Sequence, residues 1–190
     1  GLGDVYKRQV MYFAVTIGIR GYDMYKDAIA QVSLKDKVSE IRSKESYTVF
    51  SDLPETYTDA VLSVEDHRFY GHIGIDPIAI TRAMVNDVKA GRFVEGGSTI
   101  TQQLLKNSVF DFMSEDTLVE KIERKLQEQF LALQTEKKYS KNQILEYYLN
   151  TINLGQNTLG VQAASLRYFN KSVNTLTLSE CACLLYTSPS

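Results

Sequence analysis

Two adjacent carboxylates, Glu65 and Asp66, stand in the stretch Val64-Glu65-Asp66-His67-Arg68-Phe69-Tyr70-Gly71-His72, where a helical pattern gives way to a loop. A carboxylate hemmed in by Phe69 and Tyr70 would lose solvation, which suits it to general acid or base work. Read alone, the same stretch is more readily a solvated helix end whose charges pair with Arg68. His67 and His72 lack the spacing of metal ligands on a helix, so structural hydrogen bonding is expected of both.

A second constellation runs Gly96-Gly97-Ser98-Thr99-Ile100-Thr101-Gln102-Gln103-Leu104-Leu105-Lys106-Asn107. Two glycines lead into a helix start rich in hydroxyls, where free backbone N–H groups and the helix dipole favour an anion. Thr99, Gln103 and Lys106 fall on one helical face, so a phosphate at the N-terminus would meet a lysine further along, while Ile100 and Leu104 turn to the core. The spacing is not that of a Walker loop. A capped amphipathic helix without a ligand accounts for it as well. A third group, Lys121, Arg124, Lys125 and Glu128, shares one flank of a long helical pattern. Arg124 and Glu128 are placed to pair at i, i+4, and only a cleft would make that flank more than a solvated charged face.

The elements that must carry these groups are helices. Tyr22 to Arg42 reads as one mixed-charge helix, and Leu53-Pro54 opens a short one ending near Val64. Asp76-Pro77 starts a helix that stops at Gly91 after Ala90. Thr99 to Gln102, Ser140 to Gln143 and Thr177 to Glu180 have capping-box spacing. Leu118, Ile122, Leu126, Phe130 and Leu133 form an apolar stripe at helical spacing, and Gly160 to Phe169 is a further helix. No alternating strand pattern persists, so the class is mainly α.

The chain has 190 residues, 44% hydrophobic and 23% charged, which fits one globular domain with a real core. A net charge of -2 provides no basic field for nucleic acid. Cys181 and Cys183 are too close for an ordinary disulfide and read as small residues in a helix. Gly1 to Gln9 and Cys183 to Ser190 look like unnatural ends and are set aside from the fold. Val10 to Ile19 is an uncharged apolar run of ten residues, against about 20 for a bilayer span. It is either a buried or interfacial segment or the end of a membrane anchor over residues 10–21, ahead of a domain over 22–182 that is cut short.

Taken in order, E-D-x-x-F-x-x-H-x-G (Glu65 to Gly74), G-G-S-T-I-T-Q-Q-L-x-K-N (Gly96 to Asn107) and R-K-x-x-E (Arg124 to Glu128) are followed by two more motifs. These are Tyr139-Ser140-Lys141 with Ile144-Leu145-Glu146-Tyr147-Tyr148-Leu149-Asn150, and Gly160 with Ala163-Ala164 before Tyr168-Phe169. This series resembles the peptidoglycan glycosyltransferase domain of class A penicillin-binding proteins and monofunctional transglycosylases, from Leu53 to Glu180. The resemblance implies a mainly α, lysozyme-like fold whose cleft lies between a head lobe and a membrane-dipping jaw lobe. It implies an enzyme on the outer face of the bacterial cell membrane that joins the lipid-linked growing chain to the 4-hydroxyl of lipid II, releasing undecaprenyl pyrophosphate. Glu65 would be the general base and Asp66 would orient its neighbours. Ser98, Thr99, Gln103, Lys106 and Asn107 would line the donor site, with Arg124 and Lys125 on the phosphates. Glu128 would be the second essential carboxylate, either placing a divalent cation such as Mg2+ on the pyrophosphate or supporting the cationic residues and the sugar. Val109, Phe110, Phe112 and Met113 would be either a lipid-touching jaw surface or a loop tucked into the core. No S-x-x-K motif occurs within the chain, so a transpeptidase domain, where the intact protein has one, lies outside it.

Two other functions fit parts of the pattern. A lysozyme-like hydrolase would use Glu65 but leaves the second motif and Arg124-Lys125 without a task. A non-catalytic protein that binds lipid-linked sugars would tolerate the loss of Glu65.

Overall fold

A computed structural model of the chain describes residues 2–31, 33–92, 96–109 and 117–186. Among them are nine α-helices, short 3-10 turns and one isolated bridge between Asn153 and Leu159. The helices are α1 (Leu2–Gln31), α2 (Leu34–Arg42), α3 (Glu55–Glu65), α4 (Pro77–Ala90), α5 (Ile100–Ser108), α6 (Leu118–Lys138), α7 (Lys141–Leu149), α8 (Val161–Phe169) and α9 (Leu178–Tyr186). The mainly α class expected from the sequence is what is observed.

Local chemistry sets most of the boundaries. Asp76 caps α4 by accepting from the N–H groups of Ile78 and Ala79, and Gly91 ends that helix in the left-handed region at φ 63°. Reciprocal capping boxes start α5 at Thr99/Gln102 and α7 at Ser140/Gln143. A further box at Thr117/Glu120 starts α6; its T-x-x-E spacing was legible but went unread. The single helix expected over Tyr22 to Arg42 is two, because the chain turns extended at Ser33 before α2.

The core is built around α7. Ile144, Leu145, Tyr147, Tyr148 and Leu149 are all buried, so its C-terminal half is enclosed, while Asn142 and Gln143 in its first turn stay exposed. Tyr57 and Val61 of α3, Ile100 and Leu104 of α5, Val161 and Ala164 of α8 and Leu184 of α9 pack with it. Ile100 and Leu104 therefore face the core as expected. Leu184 belongs to the segment set aside as an unnatural end, yet α9 continues through Tyr186 and buries it. Cys181 and Cys183 are both free thiols, the first buried and the second exposed. Glu146 and Asn150 pin the chain ahead of α3. Asn150 holds both the N–H and the C=O of Thr48, and Glu146 accepts from Tyr47 and from the N–H of Phe50.

The apolar stripe of α6 corrects a simple reading. Its buried face carries Glu123, Gln127, Glu128, Leu131, Ala132 and Thr135 instead. Leu126 and Phe130 of the stripe meet α1: Phe130 lies edge-on to Tyr22 at 5.5 Å and 5.8 Å from Tyr25. Ile122 is 39% exposed. Periodicity identifies an apolar face but not which partner covers it. The polar residues of the buried face are buried because they are paired, Glu123 with Arg20 of α1 among them.

The Val10 to Ile19 run lies inside α1 with Val10, Met11, Tyr12 and Phe13 exposed, so it is not a buried segment. Among the described residues no helix is long and apolar enough to cross a membrane. Val109 packs beside Leu105, Leu131 and Ala132 in a small second core, while Phe110, Phe112 and Met113 lie outside the described residues.

The α1–α6 seam depends on Gly21. A Cβ there would lie 2.8 Å from Leu126 Cβ, whereas one at Gly18 meets nothing within 4 Å. Gly21→Val should therefore lose about 1–3 kcal/mol by overpacking. Gly18→Val carries the same change in helix propensity and should lose nothing comparable. Chemical denaturation of the pair checks this, and equal midpoints would remove the seam.

Candidate active site

One cleft of ≈ 790 Å³ collects ten of the residues singled out for chemistry, though not Lys121. Glu65, Asp66, Ser98, Thr99, Gln103, Lys106, Asn107, Arg124, Lys125 and Glu128 all line it. Glu65 and Lys106 thus share one groove. The size is that of a pocket for a substantial small-molecule group.

Each carboxylate is held differently. Asp66, at the end of α3, accepts from the backbone N–H of Ile100 at 3.0 Å and from His72 Nε2 at 2.9 Å. His72 Nδ1 accepts from the N–H of Gly74 at 3.1 Å, so the ring is the neutral tautomer with its proton on Nε2, facing Asp66. Gly74 has φ 99°, and a Cβ there would lie 2.8 Å from the Ala132 carbonyl oxygen, so only glycine fits this corner. Its own carbonyl accepts from the Thr99 hydroxyl at 2.7 Å.

Three N–H groups at the start of α5 are taken within the chain rather than left for a phosphate. The N–H of Thr99 goes to Gln102 Oε1, that of Ile100 to Asp66 and that of Gln102 to Thr99 Oγ1. The anion at this helix end is Asp66, 34 residues earlier in the chain. Asp66 and Thr99 thus contribute wall, with their side chains committed internally.

Cations line the cleft from α4, α5 and α6 instead: Arg82, Lys106, Arg124 and Lys125. Lys125 Nζ donates to Ser98 Oγ at 2.7 Å and pairs with Glu128 Oε2 at 3.1 Å, while Arg124 binds Glu128 Oε1. Glu128 is 1% exposed, so it sits beneath two more exposed cations. The pairing of Arg124 with Glu128 was expected on a surface; burial of the carboxylate makes it part of the cleft.

Glu65 is the exception. Among the described residues it is the one acid of the cleft bound neither to a helix-end N–H nor to a cation, accepting from the Gln103 side-chain amide at 3.0 Å. The aromatics expected to hem it in lie elsewhere, because the 3-10 turn Phe69–Gly71 carries them away. Phe69 packs under Lys141 and beside His72, and Tyr70 donates to Asn142. Tyr148 of α7 takes that place, buried and linked through Gln103. Arg68 pairs not with Glu65 or Asp66 but with Asp76 at 2.9 Å. His67 lies exposed on the cleft wall, without the structural role expected; His72 has it.

A family model described as Transglycosylase matches residues 34–190. The chain belongs to this family. Penicillin-binding protein 1A of Clostridium acetobutylicum is 45% identical to this transglycosylase chain over 159 residues, 79% of it and 19% of that protein. Penicillin-binding protein 1A of Haemophilus influenzae is 48% identical over 132 residues, 70% of this chain and 15% of that one. Penicillin-binding protein 1F of Bacillus subtilis is 43% identical over 150 residues, 78% and 20%. The transglycosylase chain spans a fifth or less of the length of these curated relatives. Its helical architecture agrees with the lysozyme-like fold that the family resemblance implied.

Glu128 is bonded to cations through both its oxygens in this structure, and no cluster of three or more His, Cys, Asp or Glu suited to a metal forms among the described residues. Sequence reasoning missed Arg82, Tyr148 and Asn153 as lining residues. Tyr148 was within a quoted motif, and its helical position facing α5 was the missing information.

Asp76 gives a pH test of the framework. Burial alone would raise its carboxyl, but two α4 N–H groups and Arg68 hold it below the usual range. A depressed folded-state value adds stability above the ordinary carboxylate range near ~3.9, lost as pH falls through the lowered value. Asp76→Asn should cost about 1–2 kcal/mol at pH 7. The gap between variant and parent should close in acid below that range, measured by urea unfolding; a constant gap would contradict the charge-based account.

Proposed function

We propose that this domain polymerises peptidoglycan glycan strands. The 4-hydroxyl of lipid II forms a bond to the anomeric carbon of the lipid-linked growing chain while the bond from that carbon to the pyrophosphate oxygen breaks, inverting the centre to a β-1,4 link. Glu65 takes the hydroxyl proton, and undecaprenyl pyrophosphate leaves with the bonding electrons. Lys106, Arg124 and Lys125 stabilise the charge that develops on it. Ser98, Gln103 and Asn107 line the donor side, and no step is routed through a metal.

The observation that carries this reading is the division of labour among the cleft's acids. Asp66, Asp76 and Glu128 are committed to a helix end or to cations, leaving Glu65 as the acid to accept a proton, in the same cleft as several cations. A hydrolase needs no such cationic wall. The names of the relatives and their greater length support a bacterial cell-envelope protein carrying a further domain such as a transpeptidase, with the cleft working on lipid-linked substrate at the outer face of the membrane.

Supplying lipid II and resolving the products by size tests the proposal. Long glycan polymer is the expected result. Release of short sugars from finished cell wall would instead indicate a hydrolase, and binding without turnover a scaffold.

A further inference from the structure

Tyr148 is a buried group of the cleft to which the reaction above assigns no task. It stands on α7, 1% exposed, and burial, followed by the nearby Glu65 charge and Tyr57, pushes its phenol up, so it remains a neutral donor. Its hydroxyl donates to Gln103 Oε1 at 3.0 Å, and Nε2 of that amide donates to Glu65 Oε2 at 3.0 Å. A side-chain amide has two ends of nearly equal shape and opposite character. Turned over, Gln103 would set its carbonyl oxygen against the Glu65 carboxylate, two acceptors face to face. The proton of Tyr148 holds the oxygen on the α7 side and so aims the NH2 at Glu65.

We propose that Tyr148 is a positioning residue which, by fixing the orientation of the Gln103 amide, holds the Glu65 carboxylate where it takes the acceptor's proton. The proposal rests on the reading of Glu65 as the base. Tyr148 does not itself meet substrate, since its hydroxyl is buried and committed to Gln103.

Tyr148→Phe removes one oxygen and keeps the ring that fills the core. With lipid II as substrate, kcat should fall about tenfold, the worth of one lost hydrogen bond, with KM unchanged. In a Gln103→Ala background the same change should cost nothing more, because Tyr148 acts only through that amide. A packing role would instead cost the same factor in both backgrounds. In the unmutated protein the Gln103 side-chain amide protons should exchange slowly with solvent by NMR; fast exchange overturns the proposal even if Tyr148→Phe fails to fold. An active parent whose Tyr148→Phe variant keeps its kcat, or loses equally with and without Gln103, overturns the proposal alone. A parent that makes no polymer overturns the reading of the site and this proposal with it.

Discussion

Glu65→Gln should abolish polymer formation from lipid II while leaving the fold and substrate binding in place. The amide oxygen of the replacement can still accept from Gln103 Nε2, so the contact at 3.0 Å survives. What is lost is the ability to take a proton. General base catalysis contributes on the order of 10²–10⁴ in rate, and a loss of that size is expected. Initial polymerisation rates and thermal melting of the two proteins measure it. A variant that retains activity within about tenfold of the parent would end the assignment of Glu65 as base.

Glu128→Ala should damage both stability and activity. Its buried carboxylate is the shared counter-charge of Arg124 and Lys125, whose side chains are 29% and 40% exposed. Removing it leaves two neighbouring cations on one flank without a fixed partner. Breaking a buried pair by deleting one side costs about 3–5 kcal/mol, and the exposure of the cations reduces this to about 2 kcal/mol. In a domain of this size that lowers the melting temperature by about 4–8 °C. Lys125 would also lose the support that holds it against Ser98, and a further loss of roughly 10²–10³ in turnover follows from misplacing leaving-group cations. Calorimetry and the lipid II assay read the two effects separately. A variant as stable and as active as the parent would show that Glu128 does not organise these cations.

What the sequence made legible was local. Asp76-Pro77, Gly91 and the capping boxes at Thr99 and Ser140 depend on neighbours three or four residues away, and the structure bears them out. The ordered motifs also led to ten residues that lie far apart in the chain and line one cleft. What was illegible was non-local. Nothing near Ile100 in the chain says that its N–H goes to Asp66, and nothing near Arg68 sends it to Asp76 rather than to the adjacent acids. The stripe on α6 was seen but not its partner, because the periodicity of one helix is silent about which neighbour covers it. Phe69 and Tyr70 are close to Glu65 in sequence but not around it in space, because α3 ends at Glu65 and the chain turns before the 3-10 segment that holds them.

The carboxylate of Asp66 at the head of α5 has a consequence for repeated turnover. Because that negative group is part of the polypeptide, the dipole of α5 is answered whether the groove is full or empty. In the reaction proposed above, a departing pyrophosphate would leave no uncompensated charge at that helix terminus. Under that proposal, successive sugar additions would meet the same charge at the head of α5 each time.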